Sequence, residues 1–172
     1  YTDPLGIYNL YENEEPLRVK GYFTDLIADW AVSYLDKVNR QPFFLYLAFT
    51  APHSPYQSPS ADPGQPLPGH SSLWDQRQAE REVYCAMIEQ MDHAVGRVLQ
   101  SLDHHGLAND TIVIFASDNG ATRSGRNTPL SGYKGSTQEG GIRVPAIVRW
   151  PGHIPPGIVS EQVCITMDFS AS

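Results

Sequence analysis

Apolar side chains recur at helical spacing from Thr24 to about Val38: Leu26, Ile27, Trp30, Tyr34, Leu35 and Val38 fall on one side, and Thr24 stands where an N-cap is expected. Pro42 stops any helix and launches residues 43–49, a continuous apolar run suited to a strand covered on both faces of a sheet. Residues 52–72 carry six prolines and two glycines and predict a loop without regular structure. Loops of that length inside compact domains are functional or disordered. From about Asp75 to His105 the helical period returns, with Val83, Met87, Met91, Val95, Val98 and Leu102 along one face, acids and arginines on the other, and Gly106 as the C-terminal stop. Residues 107–110 link this helix to a second β-rich run, 111–116. Strand, long helix, strand predicts the right-handed crossover of a parallel sheet. That order puts His53 and Asp118 at one carboxyl edge, where α/β sheets bind ligands. Residues 1–21 read as an irregular surface segment and 146–149 as a short further strand.

The second strand ends in Ser117-Asp118-Asn119-Gly120, a carboxylate and an amide at a strand exit. Such a tetrapeptide on its own makes a turn with local side-chain bonds more readily than a metal site. Its oxygen-only donors suit a hard cation, Ca²⁺ or Mg²⁺. The net charge of −7 and the absence of a basic patch exclude nucleic acid as a partner, and no apolar run is long enough to span a bilayer. Cys85 and Cys164 are too few for a disulfide framework and are not spaced as zinc ligands, so both are expected as buried small hydrophobes. Among the histidines, His93, His104 and His105 lie on or beside the long helix and are expected to be solvated, the last two near its C-terminal dipole, while His70 and His153 sit in Pro/Gly loops.

Further on come Gly132-Tyr133-Lys134-Gly135-Ser136-Thr137-Gln138-Glu139-Gly140-Gly141-Ile142-Arg143-Val144-Pro145 and Trp150-Pro151-Gly152, and upstream stands Pro52-His53-Ser54-Pro55 at the end of the first apolar run. SDNG, G-x-K-G-x-T-x-E-G-G-x-R-x-P, W-P-G and H-x-P in this order resemble the type I sulfatases, the arylsulfatase-like branch of the alkaline phosphatase superfamily. The resemblance implies an alkaline-phosphatase-like α/β fold, a mostly parallel sheet flanked by helices and incomplete in this chain. Residues 1–172 would form part of a single catalytic domain. It also implies Asp118 and Asn119 as metal ligands, with Ca²⁺ first and Mg²⁺ as the alternative. His53 and Lys134 would be catalytic and substrate-binding, His53 holding the sulfate and helping to protonate the leaving alcohol, Lys134 countering charge on a sulfate oxygen or on the leaving group. Gly132 and Gly135, bracketing Lys134, would let the backbone approach a ligand closely. Glu139 and Arg143 read as structural, Gly140 and Gly141 as sources of unusual backbone angles, and Arg123 and Arg126 either as selectors of an anionic substrate or as plain exposed charge.

A type I sulfatase also needs C-x-P-x-R, whose Cys becomes the formylglycine nucleophile, and neither Cys85 nor Cys164 stands in that context. Since the chain opens on Tyr1 and residues 167–172 resemble the start of a further family helix, it is expected to be an internal piece. The nucleophile and two further metal carboxylates would then lie upstream. The parent would hydrolyse sulfate esters of a small molecule or carbohydrate. The alternatives are a phosphoesterase or phosphonate hydrolase of the same superfamily, and a non-catalytic fragment or pseudoenzyme. Family analogy places such enzymes in the periplasm, outside the cell or in lysosomes, and Asn109-Asp110-Thr111 would accept an N-glycan in a eukaryotic secretory pathway.

Overall fold

The computed structural model describes residues 9–39, 41–61 and 79–171. A two-residue hairpin, β1 (Tyr11–Glu12) and β2 (Glu15–Pro16), turns through Asn13 at φ 57° within the segment expected to be irregular. Helix α1 spans Phe23–Leu35. Its first turn is closed by the Tyr22 carbonyl, which accepts from the N–H groups of Asp25 and Leu26 at 3.0 and 3.1 Å. Thr24 is therefore buried inside the first turn, not at the cap where the sequence put it.

Helix α2, Arg81–His104, lies against α1, and the two make the core. Ala28 and Ala94, both 0% exposed, let the backbones approach, and Ala31, Leu35, Val98 and Leu102 fill in around them. The expected α1 stripe is displaced as a result. Small Ala28 and Ala31 take the contact, whereas Trp30 and Tyr34 sit at its exposed margin, Tyr34 edge-on to Phe43 and Trp30 edge-on to Phe23. Arg97 of α2 pairs with Asp29 of α1, and His105 Nε2 lies 2.9 Å from Asp36 Oδ1, so His105 bridges the helices. At the C-terminus of α2, Gly106 adopts φ 65°; its N–H donates to Asp103 O at 3.1 Å and the Leu107 N–H to Leu102 O at 2.9 Å. This pair of bonds is a Schellman stop, and Leu102 and Leu107 share the core cluster beneath it.

A 3₁₀ turn, Ala108–Asp110, leads into β3, Val113–Ala116, and β3 pairs antiparallel with β4, Ala146–Arg149. Arg149 reaches Asp103 of α2 at 3.1 Å and the Trp150 indole donates to Asn109 O at 3.0 Å, which fixes this ribbon to the helical layer. Short α3, Glu139–Ile142, precedes β4, and α4, Asp168–Ala171, closes the described chain.

Two expectations are corrected here. Residues 43–49 join no ladder among the described residues: Phe43, Leu45, Leu47 and Phe49 pack on the helical core, while Phe44 and Tyr46 are 86% and 81% exposed. The segment is extended, with the period-two alternation of one covered face, and the pairing among the described residues is antiparallel, not parallel. Cys164, expected to be buried, is exposed, and Cys85 is half-buried. Residues 158–167 carry Cys164 through an irregular stretch whose Val159, Val163 and Met167 are likewise exposed, so nothing there packs over a thiol. His70 and residues 62–78 of the predicted loop and helix start lie outside the described residues.

Candidate active site

The SDNG turn is formed locally and then clamped from outside. The Ser117 hydroxyl donates to Asn119 O at 3.0 Å, which curls the strand exit, and the Gly120 N–H donates to Gly141 O at 2.9 Å. Gly120 has no room for a side chain: a Cβ there would stand 1.9 Å from Gly140 O. The Gly-rich loop is held by the same means. A Cβ on Gly140 would meet Gly132 O at 2.3 Å and one on Gly141 would meet Ser136 O at 2.3 Å. Neither glycine has a positive φ, so their role is close backbone approach and not the unusual angles expected from the sequence. Gly132 and Gly135, both at φ 90°, do supply left-handed backbone on either side of Lys134.

Asn127, which drew no notice in the sequence, ties this together. Its amide donates to Ala121 O at 3.1 Å and to Gly132 O at 3.0 Å, and its Oδ1 accepts from the Ala121 N–H at 3.0 Å. The Lys134 N–H adds a bond to Ala121 O at 3.0 Å. One side chain thus joins the residue after SDNG to the residue two before Lys134. An Asn in a polar loop gives no sequence signal of that kind, because its partners are backbone groups. Beneath the loop, buried Ser124 accepts from the Ala79 N–H at 2.8 Å and donates to the Tyr56 hydroxyl at 3.3 Å.

His53, Asp118, Asn119 and Lys134 all border one open cleft of about 2240 Å³, floored by residues 43–50 and 112–117. That is well above the volume of about 300–1,000 Å³ of a fitted small-molecule pocket, so the feature is a trough between elements. His53 is exposed between cis Ala51–Pro52 and Ser54–Pro55 bonds. Its Nδ1 lies 2.7 Å from Ser54 O, and since a carbonyl only accepts, Nδ1 carries the hydrogen of this contact. Asp118 and Lys134 are exposed, and no ion pair joins either to another described residue. Glu139 and Arg143 pair at 3.1 Å across one helical turn, in keeping with a structural reading, although an exposed pair contributes only about 0–1 kcal/mol. Tyr22 and Tyr84 also line the cleft, and burial pushes both phenols above their ordinary range, so they present neutral hydroxyls. As donors, Asp118 and Asn119 suit a hard cation, yet the described residues hold no group of three His, Cys, Asp or Glu side chains able to ligate one.

A family model described as Sulfatase matches residues 2–172. The uncharacterized sulfatase YdeN of Escherichia coli (strain K12) is 34% identical over 166 residues, covering 94% of this chain and 28% of that protein. The N-acetylgalactosamine-6-sulfatase of Homo sapiens is 34% identical over 169 residues, 92% of this chain and 30% of its own. Among solved structures, Ps i-CgsB matches with a TM-score of 0.73 at 34% identity over 88% of this chain and 33% of that one. Ps i-CgsB in complex with k-i-k-neocarrahexaose matches with a TM-score of 0.70 over 84% and 32% of the two chains. The chain therefore spans about a third or less of the length of these relatives. Its helices and small sheets correspond to part of an alkaline-phosphatase-like α/β domain, and the chain belongs to the sulfatase family.

Proposed function

We propose that the protein carrying this chain hydrolyses sulfate esters of carbohydrates, and that these residues supply one side of its active site. The observation that carries the reading is the convergence of an exposed carboxylate, a half-buried amide, an oriented imidazole and a lysine with no ion-pair partner among the described residues on one cleft. Relatives named for sulfated sugars, such as N-acetylgalactosamine-6-sulfatase, support the substrate class. Asp118 and Asn119 would hold a divalent cation, Ca²⁺ in preference to Mg²⁺, together with donors from outside these residues, since such a cation takes about six to eight oxygens. When bound, it would neutralise charge on the sulfate oxygens.

His53, in its imidazolium form, keeps Nδ1–H on the Ser54 carbonyl and presents Nε2–H to the cleft. As the bond between sulfur and the ester oxygen breaks, that proton passes to the leaving alcohol. Lys134, held by its backbone bond to Ala121 and flanked by two left-handed glycines, sets a point charge opposite the oxygen on which negative charge grows. Neither Cys85 nor Cys164 stands in a C-x-P-x-R context, so the nucleophile, a formylglycine by the family resemblance, would come from outside residues 1–172.

The test uses the full-length gene product with activated aryl sulfate, aryl phosphate and sulfated disaccharide substrates, before and after chelation. Sulfate release that is lost with chelator and restored by Ca²⁺ is the expected result. Asp118→Ala should abolish activity and lower the metal content measured by elemental analysis. A protein that cleaves only the phosphate ester would belong to the phosphoesterase alternative, and an Asp118→Ala protein that keeps stoichiometric metal would remove the ligand assignment.

A further inference from the structure

Beside the cleft lies a second, smaller pocket of about 570 Å³, and its lining includes Arg81, Arg123, Arg126, Thr128, Ser131 and Tyr133. Three arginines line it, and no acidic residue does among the described residues. Among the described residues no acid pairs with any of the three, in a chain whose net charge is −7. Arg123 is steadied over the Tyr133 ring, 5.3 Å from its centroid, which leaves the guanidinium edge for a ligand. Three like charges around one pocket repel each other, and an oxyanion between them relieves that repulsion while matching the donor forks.

The pocket is coupled to the cleft by the chain itself. Arg126 and Asn127 border both, and consecutive residues divide between them, Tyr133 lining the pocket and Lys134 the cleft. Neighbouring Cα atoms are only about 3.8 Å apart, so the pocket and the cleft adjoin along this loop and one polyanionic ligand could reach both. We propose that Arg81, Arg123 and Arg126 form a subsite for a second oxyanion, a sulfate or carboxylate that is not cleaved, and that the pocket selects polyanionic over singly charged sulfate esters. This deepens the sulfatase reading and rests on it for the identity of the reacting group; the pocket itself is assigned from its own charge and shape.

The experiment compares, in the full-length protein, a monosulfated disaccharide with the same disaccharide carrying a second sulfate or a carboxylate. The wild type should show the lower KM for the doubly charged substrates, and that advantage should shrink as salt is raised. Arg123→Gln and Arg81→Gln should each raise KM for the doubly charged substrates about tenfold, the loss of roughly one charge-assisted contact, while changing KM for the monosulfated one much less. Arg123→Lys should recover part of the difference. The doubly sulfated and carboxylated arms show which oxyanion the pocket prefers. An equal change for singly and doubly charged substrates, or none for either, overturns the proposal. If the wild type cleaves no sulfate ester at all, the sulfatase reading fails separately. Calorimetric binding of sucrose octasulfate then decides the pocket: at least tenfold weaker binding by Arg81→Gln and Arg123→Gln supports it, and unchanged binding refutes it.

Discussion

The placement of Lys134 depends on Asn127, whose side-chain amide is spent on backbone groups. Asn127 makes three hydrogen bonds to the backbone of Ala121 and Gly132, so its removal takes these partners from the Ala121 N–H and the Gly132 carbonyl, while the Ala121 carbonyl keeps the Lys134 N–H. Asn127→Ala is expected to cost about 1–3 kcal/mol and to lower turnover by letting SDNG and the lysine loop separate. Equilibrium denaturation and steady-state kinetics on one preparation check both, and an unchanged midpoint would assign Asn127 a surface role. His53 and Lys134 should behave in the opposite way. Both are exposed and lie outside the core clusters, so Ala at either should reduce turnover about a hundredfold with little shift in thermal midpoint. A large drop in midpoint with normal turnover would make them structural. At this scale the sequence was readable where chemistry is most local: the SDNG turn follows from four adjacent residues, whereas the left-handed angles were expected at Gly140 and Gly141 and occur instead at Gly132 and Gly135. Asn127 and the contact role of Gly140 and Gly141 were not readable, because each depends on backbone that arrives from elsewhere in the loop.

Among the elements, periodicity found both helices but misjudged the contact between them. The apolar count favoured Trp30 and Tyr34 for the buried side of α1, yet two close-packed helices seat their smallest residues at the crossing, and Ala28 faces that layer with Ala94. Ala94→Leu should accordingly destabilise the fold by about 1–3 kcal/mol through overpacking, although Leu is a good helix former. The denaturant midpoint of the full-length protein reads this directly, and a neutral or stabilising outcome would mean that the interface is loose. The two β-rich runs were also found, but not their partners. Residues 43–49 have the alternation of a strand with one covered face, and β3 offers β4 only one of its edges. Strand pairing is a non-local choice that a single apolar run does not encode.

Across the whole molecule, the same pairing pattern leaves a boundary that is apolar and hydrogen-bond competent. Phe44 and Tyr46 project from an unladdered extended segment, Ile114 and Phe115 lie exposed on β3, and Ile147 on β4 is 62% exposed. Unpaired strand edges beside exposed apolar side chains are templates for pairing with another chain. Residues 1–172 expressed alone should therefore self-associate and bind a hydrophobic dye, with light scattering rising with concentration. The same preparation should not turn over an activated aryl sulfate even with added Ca²⁺, because the roles proposed for Asp118, Asn119, His53 and Lys134 are to hold a cation, an anion and a proton, and neither Cys85 nor Cys164 stands in a C-x-P-x-R context to supply a nucleophile. Repeated turnover by the purified 172-residue chain would require a nucleophile from within this sequence and would overturn the division of labour proposed for the site. A monodisperse, dye-silent preparation would show instead that the open edges are satisfied within the chain.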